Sequence, residues 1–302
     1  MISEIILIII LSLIQGLTEF LPISSSAHLL LPNLLFGTKD LGLSFDVATH
    51  AGTLVAVIMY FKEEIKRMVK SFFTSSKEFT EDRSLAVLLI VATIPIVIAG
   101  LASSDIIQQR LFTLNSIALM NIIFAFILYL AYKISPKTKD IMQLTLFAAT
   151  FIGFFQIFAL IPGASRSGTA ITAGLLLGLS MKEASKFSFL LGIPTILGAL
   201  VFLTIDIASA SISINLLHLI IGFVISSIIA FLTIKYFLLF VEKIGVAPFV
   251  IYRLALGLIL IIICWIAPFL LAMTNCQKHK KSQDFFTLLL LKTYQIQITI
   301  FY

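Results

Sequence analysis

Long apolar runs separated by short polar stretches dominate the chain, and their lengths predict helices that cross a membrane. Six runs, at about 44–61, 84–102, 114–132, 185–205, 216–238 and 247–271, are each close to the ~20 residues that span a hydrocarbon layer. A β-barrel is excluded, because its strands would alternate polar and apolar residues. Two further apolar regions, about 3–36 and 142–180, are interrupted near their middles by polar stretches containing proline, "TEFLPISSSAH" and "IPGASRSGT". Each half is too short to cross at ~1.5 Å rise per residue, so each region is predicted to be a re-entrant helical hairpin. Irregular backbone at such depth requires surrounding protein or a wet cavity.

The two interruptions are alike. Gln15 precedes Pro22 much as Gln156 precedes Pro162, with one residue's difference in spacing, and Ser25 and Ser165 each lie three residues after the proline. Three spans follow each hairpin. The expected architecture is therefore all-α and polytopic, with a single membrane domain over 1–272 built from a repeat at about 3–133 and another at about 142–271. An odd number of spans per half inverts the second copy, and inverted repeats place functional sites near the midplane where broken helices meet. The two polar motifs should face one another there. Residues 273–302 are a polar, then mixed, extension with no expected structure.

Composition and charge refine this picture. Of 302 residues, 60% are hydrophobic and 12% charged, against roughly a quarter in soluble proteins. With a mean hydropathy of +1.11, no soluble domain of any size is expected. The formal charge of +6 reads as basic cytoplasmic loops, with no nucleic-acid partner implied. The 62–83 loop, with Lys62, Lys66, Arg67, Lys70, Lys77 and Arg83, is placed inside. Alternation then puts Lys133, Lys137, Lys139, Lys182, Lys186, Lys235, Lys243 and Arg253 inside too, and leaves Lys39 and Arg110 outside. Cys264 and Cys276 offer no metal or disulfide framework, and the acidic start "MISEIILIII" does not read as a cleaved signal peptide.

The polar motifs suggest phosphate chemistry. In "PGASRSGT", Pro162 and Gly163 break the helix and a new one should start near Ser167. Its N–H groups with the Ser165, Ser167 and Thr169 hydroxyls would form an anion cradle. Arg166 adds a fork suited to phosphate oxygens, although an arginine can instead snorkel or pair with a buried carboxylate. In the first motif Gln15 and Glu19 share a helix face; Ser24, Ser25 and Ser26 can cap the returning helix, and His28 lies one turn into it. A carboxylate, hydroxyls and an imidazole opposite Arg166 can hold a divalent metal against a phosphate and attack its phosphorus. The bland alternative makes Glu19 a structural partner of Arg166 and the serines simple caps. Asp46 and His50 share one side of the first full span and suit either the site or helix packing. Glu183, Ser185 and Ser188 read as cap and packing residues first, with a functional role as the lesser alternative.

"QGLTEFLPISSSAH" and "PGASRSGT", with "FDVATHAGTLVAV" and "EASKFSFLLGIPTILGA", resemble the undecaprenyl-diphosphate phosphatases of the bacitracin-resistance (BacA/UppP) family over roughly residues 3–271. The resemblance implies a multi-pass enzyme of the bacterial plasma (inner) membrane. Such an enzyme hydrolyses undecaprenyl diphosphate outside the cytoplasm with a divalent cation, Mg²⁺ or Ca²⁺. Its product carries cell-wall precursors, and removal of the diphosphate confers bacitracin resistance. Carried onto this sequence, Glu19, Ser25, His28 and Arg166 are the implied catalytic positions, Glu19 and Gln15 the implied metal ligands. Gln15, Ser24, Ser26, Gly163, Ser165, Ser167 and Thr169 occupy implied substrate-binding positions. Where some relatives carry a second glutamate, Gln15 keeps an oxygen ligand and loses a charge. Whether Ser25 or His28 attacks is left open by spacing. Membrane lipid is a further expected partner, as is a second copy in a homo-oligomer. Two rival readings compete: a flippase for undecaprenyl phosphate, since inverted repeats with broken helices also build carriers, and a type-2 phosphatidic acid phosphatase. The second is excluded because Ile171 stands where that class needs histidine.

Overall fold

A computed structural model describes residues 2–74, 76–103, 113–209 and 215–276. Arg110 and the extension beyond Cys276 lie outside the described residues. Eleven α-helices are described: α1 Ile2–Thr18, α2 Ser25–Phe36, α3 Leu43–Tyr60, α4 Lys62–Ser71, α5 Thr80–Ala102, α6 Leu114–Ile134, α7 Leu146–Gln156, α8 Arg166–Leu176, α9 Met181–Ser209, α10 Leu216–Ile244 and α11 Ala247–Cys276. Six of them, α3, α5, α6, α9, α10 and α11, contain a stretch long and apolar enough to cross a membrane, and the protein is a multi-pass membrane protein. The predicted spans fall on these six. The interrupted regions become the pairs α1/α2 and α7/α8, the latter with a 3-10 turn at Ile157–Leu160.

Local chemistry explains where the boundaries depart from expectation. α9 starts at Met181 rather than 185 because Ser180 Oγ accepts a bond from the Glu183 N–H, 3.2 Å away. α10 continues to Ile244 and stops at Gly245, whose φ of 66° suits glycine. The 62–83 loop contains a helix, α4, with Glu63 and Glu64 in its first turn and Lys70 in its last, matching the helix dipole. Arg67 ties that helix to α5 through a forked bond to Asp82, with contacts of 3.0 and 3.2 Å.

α3 packs on both α9 and α10, α1 on α10, α7 and α9 on α5, and α6 on α8 and α11. Two of these contacts depend on glycine. A Cβ on Gly16 of α1 would lie 2.8 Å from Ile229 Cβ and Ser226 O of α10, and one on Gly153 of α7 would lie 2.5 Å from Ala92 O of α5. The first arm of each helix pair therefore reaches a long span at backbone contact. The outward faces carry large exposed apolar side chains, among them Ile98, Ile251 and Trp265, as a lipid-facing surface requires.

One basic residue counted on the inner side is not a loop residue. Arg253, assigned to the inner side, is fully buried on α11 against the two helix breaks. Positive-inside statistics weigh residues near span ends and say nothing about a cation enclosed by protein.

Candidate active site

The two breaks have the same local geometry. After each, one serine adopts a positive φ before the next helix begins: Ser24 at φ 72°, ψ 93° and Ser165 at φ 73°, ψ 116°. Such a conformation costs an L-residue on the order of 1–3 kcal/mol and persists where surroundings impose it, commonly at functional sites. Each strained serine also contacts the serine two residues on, Ser24 with Ser26 at 3.3 Å and Ser165 with Ser167 at 3.2 Å. Local geometry thus matches Ser165 with Ser24, and Arg166 with Ser25. Counting from the prolines paired Ser165 with Ser25; the one-residue difference in spacing after the glutamines shifts that pairing.

The breaks are laced together. The Gly163 N–H donates to Ser24 Oγ at 3.1 Å, and Ser167 Oγ donates to the Leu21 carbonyl at 2.8 Å. Gly163 has φ 102°, and a Cβ there would lie 2.7 Å from the Ile117 carbonyl. Only glycine fits both constraints.

At this junction lies Glu19, 5% exposed. Its Oε1 accepts from Arg166 Nη2 at 2.8 Å. Its Oε2 accepts from Ser25 Oγ at 2.6 Å and from Gln15 Nε2 at 2.9 Å, with His50 Nε2 at 3.7 Å. Arg166 also donates from Nη1 to the Ser188 carbonyl at 3.2 Å and lies over the Phe20 ring. A Cβ at Gly192 would collide with this guanidinium, so glycine there leaves room for the arginine. The carboxylate and guanidinium from motifs 147 residues apart therefore meet, and Ser25 is poised on the same carboxylate.

The other predicted positions divide into two groups. Ser165 Oγ caps α8 by accepting from the Gly168 N–H at 3.1 Å, and Thr169 Oγ1 donates to the Arg166 carbonyl at 2.9 Å. With Ser167 bound to Leu21, the hydroxyls of the second motif are engaged within the protein. α2, by contrast, starts at Ser25 with no side-chain cap bond from Ser24. Ser25, whose Oγ reaches Glu19, is the first residue of that helix, and a helix start favours an anion. Ser188 is more than a packing residue, since its carbonyl holds Arg166 and its Oγ donates to the Ser167 carbonyl at 3.3 Å.

His28 is held at both nitrogens. Nδ1 lies 2.6 Å from the Ser24 carbonyl, which can only accept, so Nδ1 carries the proton. Nε2 is then the acceptor for the Tyr252 hydroxyl at 2.5 Å, and the two rings stack at 5.6 Å. No hydrogen bond joins the His28 ring to Ser25 or Glu19. Beside the junction is a cavity of about 210 Å³, lined by Ser26, Asp46, His50 and Pro162 together with Leu29 and Leu160. Tyr252, Arg253, Phe20 and Gly192 were not singled out in the sequence. A tyrosine–arginine pair inside the run "FVIYRLALGLI" was the available signal, since an ionisable residue within a membrane segment suggests function by default.

Residues 8–259 match the family described as bacitracin resistance protein BacA. The chain belongs to the BacA family. Among its relatives, the undecaprenyl-diphosphatase of Saccharophagus degradans is 46% identical over 260 residues, covering 86% of this chain and 98% of that protein. The undecaprenyl-diphosphatase of Alteromonas mediterranea is 47% identical over 256 residues, covering 84% and 96%. The BacA match contains both helix breaks and the Tyr252–Arg253 pair.

Proposed function

We propose that this chain hydrolyses undecaprenyl diphosphate to undecaprenyl phosphate and phosphate, as the names of its BacA-family relatives say of them. The observation that carries the reading is Glu19, buried and bonded at once to Ser25 and to Arg166. Arg166 and the open start of α2 bind the terminal phosphate. Ser25 Oγ attacks its phosphorus while Glu19 takes the hydroxyl proton. The bond to the bridging oxygen breaks, and the prenyl phosphate leaves with that oxygen. Water then attacks the phosphoserine; Glu19 returns its proton to Oγ, and both protons of the water stay with the released phosphate. Ser25 is preferred to His28 as nucleophile because it alone lies on the carboxylate, while both imidazole nitrogens are occupied.

A divalent cation, Mg²⁺ or Ca²⁺, suits the same corner. Gln15 Oε1 is buried with no hydrogen-bond partner, beside the Glu19 carboxylate to which its amide nitrogen donates. Among the described residues no group of three or more histidine, cysteine, aspartate or glutamate side chains could hold a metal. Gln15 and Glu19 would therefore share the ion with phosphate oxygens and water, a usual arrangement for Mg²⁺. Bound there, it would offset the charge of the diphosphate.

The architecture we infer around this site is an inverted repeat with two re-entrant hairpins. In its favour, Gln15 and Gln156, Ser24 and Ser165, and Ser26 and Ser167 each stand 141 residues apart, and the two strained serines have nearly equal φ. Packing supports it too: α1 lies on α10 as α7 lies on α5, and α3 on α10 as α9 on α5. Basic loops point the site to the outer face of the bacterial inner membrane. A diphosphate on a C55 chain stays in the bilayer, which gives a reason for catalytic groups at that depth.

The test is phosphate release in detergent, where there is no membrane to cross. Purified protein should release phosphate from undecaprenyl diphosphate, lose that activity in excess chelator, and regain it with Mg²⁺ or Ca²⁺. Absence of release, with transport of undecaprenyl phosphate in vesicles, would make the protein a carrier.

A further inference from the structure

Arg253 is the largest fully buried side chain among the described residues, and it forms no ion pair there. An enclosed cation without a carboxylate is costly, and is kept only where its donors are needed. Its two terminal nitrogens donate to three carbonyls, while the buried Nε has no hydrogen-bond partner among the described residues. Nη1 donates to Pro22 at 3.2 Å, and Nη2 donates to Gly163 at 2.7 Å and Ala164 at 3.1 Å. Pro22 belongs to the first break; Gly163 and Ala164 belong to the second. Among the described residues no loop, turn or cap N–H bonds to any of the three, so the guanidinium satisfies groups that the broken helices leave open.

We propose that Arg253 is a positioning residue: a single planar fork on α11 that fixes both helix breaks relative to each other, and so sets Ser25 against Glu19 and Arg166. The inference rests on the catalytic reading above. Pro22 lies between Glu19 and Ser25, and Gly163 and Ala164 lie just before Arg166. Holding these three carbonyls on one rigid group therefore locates the carboxylate, the hydroxyl and the phosphate-binding arginine together. The neighbouring Tyr252 bonds His28 on α2, so the same turn of α11 also grips the helix that carries Ser25. Lysine cannot replace this fork, since one ammonium on a flexible stem lacks its fixed two-nitrogen geometry.

The experiment compares full-length wild type with Arg253→Lys in detergent, reading kinetics per folded molecule and amide hydrogen exchange. A displacement of about 1 Å at a catalytic group costs on the order of a hundredfold, so kcat should fall by about that factor while KM changes by less than about threefold. Exchange should accelerate together in peptides covering residues 19–28 and 161–168. Arg253→Met, which removes the donors, should show the same paired acceleration. If it does not fold, the Arg253→Lys exchange pattern decides alone. Wild-type kcat in Arg253→Lys, or faster exchange confined to α11 or to one break, would overturn the proposal. The exchange measurement needs no substrate, so a wild type that releases no phosphate would defeat the hydrolase reading without touching this clamp.

Discussion

Glu19→Gln is expected to reduce phosphate release by about three orders of magnitude, in a protein that is also less stable. Both effects follow from one carboxylate with three close donors: Arg166, Ser25 and Gln15. An amide has one oxygen and one nitrogen, so with its oxygen facing Arg166 its nitrogen would face Ser25 and Gln15, which would have to turn from donating to accepting. General-base assistance alone is worth roughly 10²–10⁴-fold, and the amide cannot take the Ser25 proton. Removing one member of a buried ion pair also leaves the other charge uncompensated, at about 3–5 kcal/mol. The thermal midpoint in detergent and kcat per folded molecule separate the two effects. A variant with kcat within about threefold of wild type would remove Glu19 from the chemistry, because even the low end of the general-base range exceeds that.

Arg166→Ala should be nearly as damaging, with a different signature. The change strands Glu19 and removes the proposed phosphate anchor, so KM should rise as kcat falls, by about a hundredfold or more in kcat/KM for a buried charge-assisted contact. Arg166→Lys should recover little of the loss, since one ammonium cannot contact both Glu19 Oε1 and the Ser188 carbonyl in place of the fork. The double variant Glu19→Gln with Arg166→Met distinguishes structure from catalysis. It should regain most of the stability that either single change costs, since no lone charge remains, yet stay inactive. Full activity in Arg166→Lys, or recovered activity in the double variant, would reduce the pair to a structural bridge.

The helical framework was legible in the sequence because a membrane leaves a chain few choices. Spans must be long and apolar, and a proline-bearing polar break within an apolar run must be enclosed by protein. That logic located six spans and both breaks, and helical spacing placed Gln15 beside Glu19. It could not reach contacts set by tertiary packing. Arg253 carries the same letter and charge as a loop arginine, and only the enclosing helices turn it into a donor for both breaks. His50 was ambiguous between packing and function because its helix face was known but not what lay opposite; that neighbour is Glu19. Tyr252 and His28 stand 224 residues apart, a separation over which no local pattern carries information. The serine pairing was displaced by one position for a related reason: proline marks a break, but the residue that absorbs the positive φ is set by how the chain re-enters a helix.

Acid-quenched single turnover with undecaprenyl diphosphate labelled at the terminal phosphorus tests the central reading most directly, comparing wild type with Ser25→Ala. The junction of the two helix breaks predicts transient label on the wild-type protein, mapped to Ser25, with neither protein-bound label nor phosphate release in Ser25→Ala. Undiminished phosphate release by Ser25→Ala would contradict it.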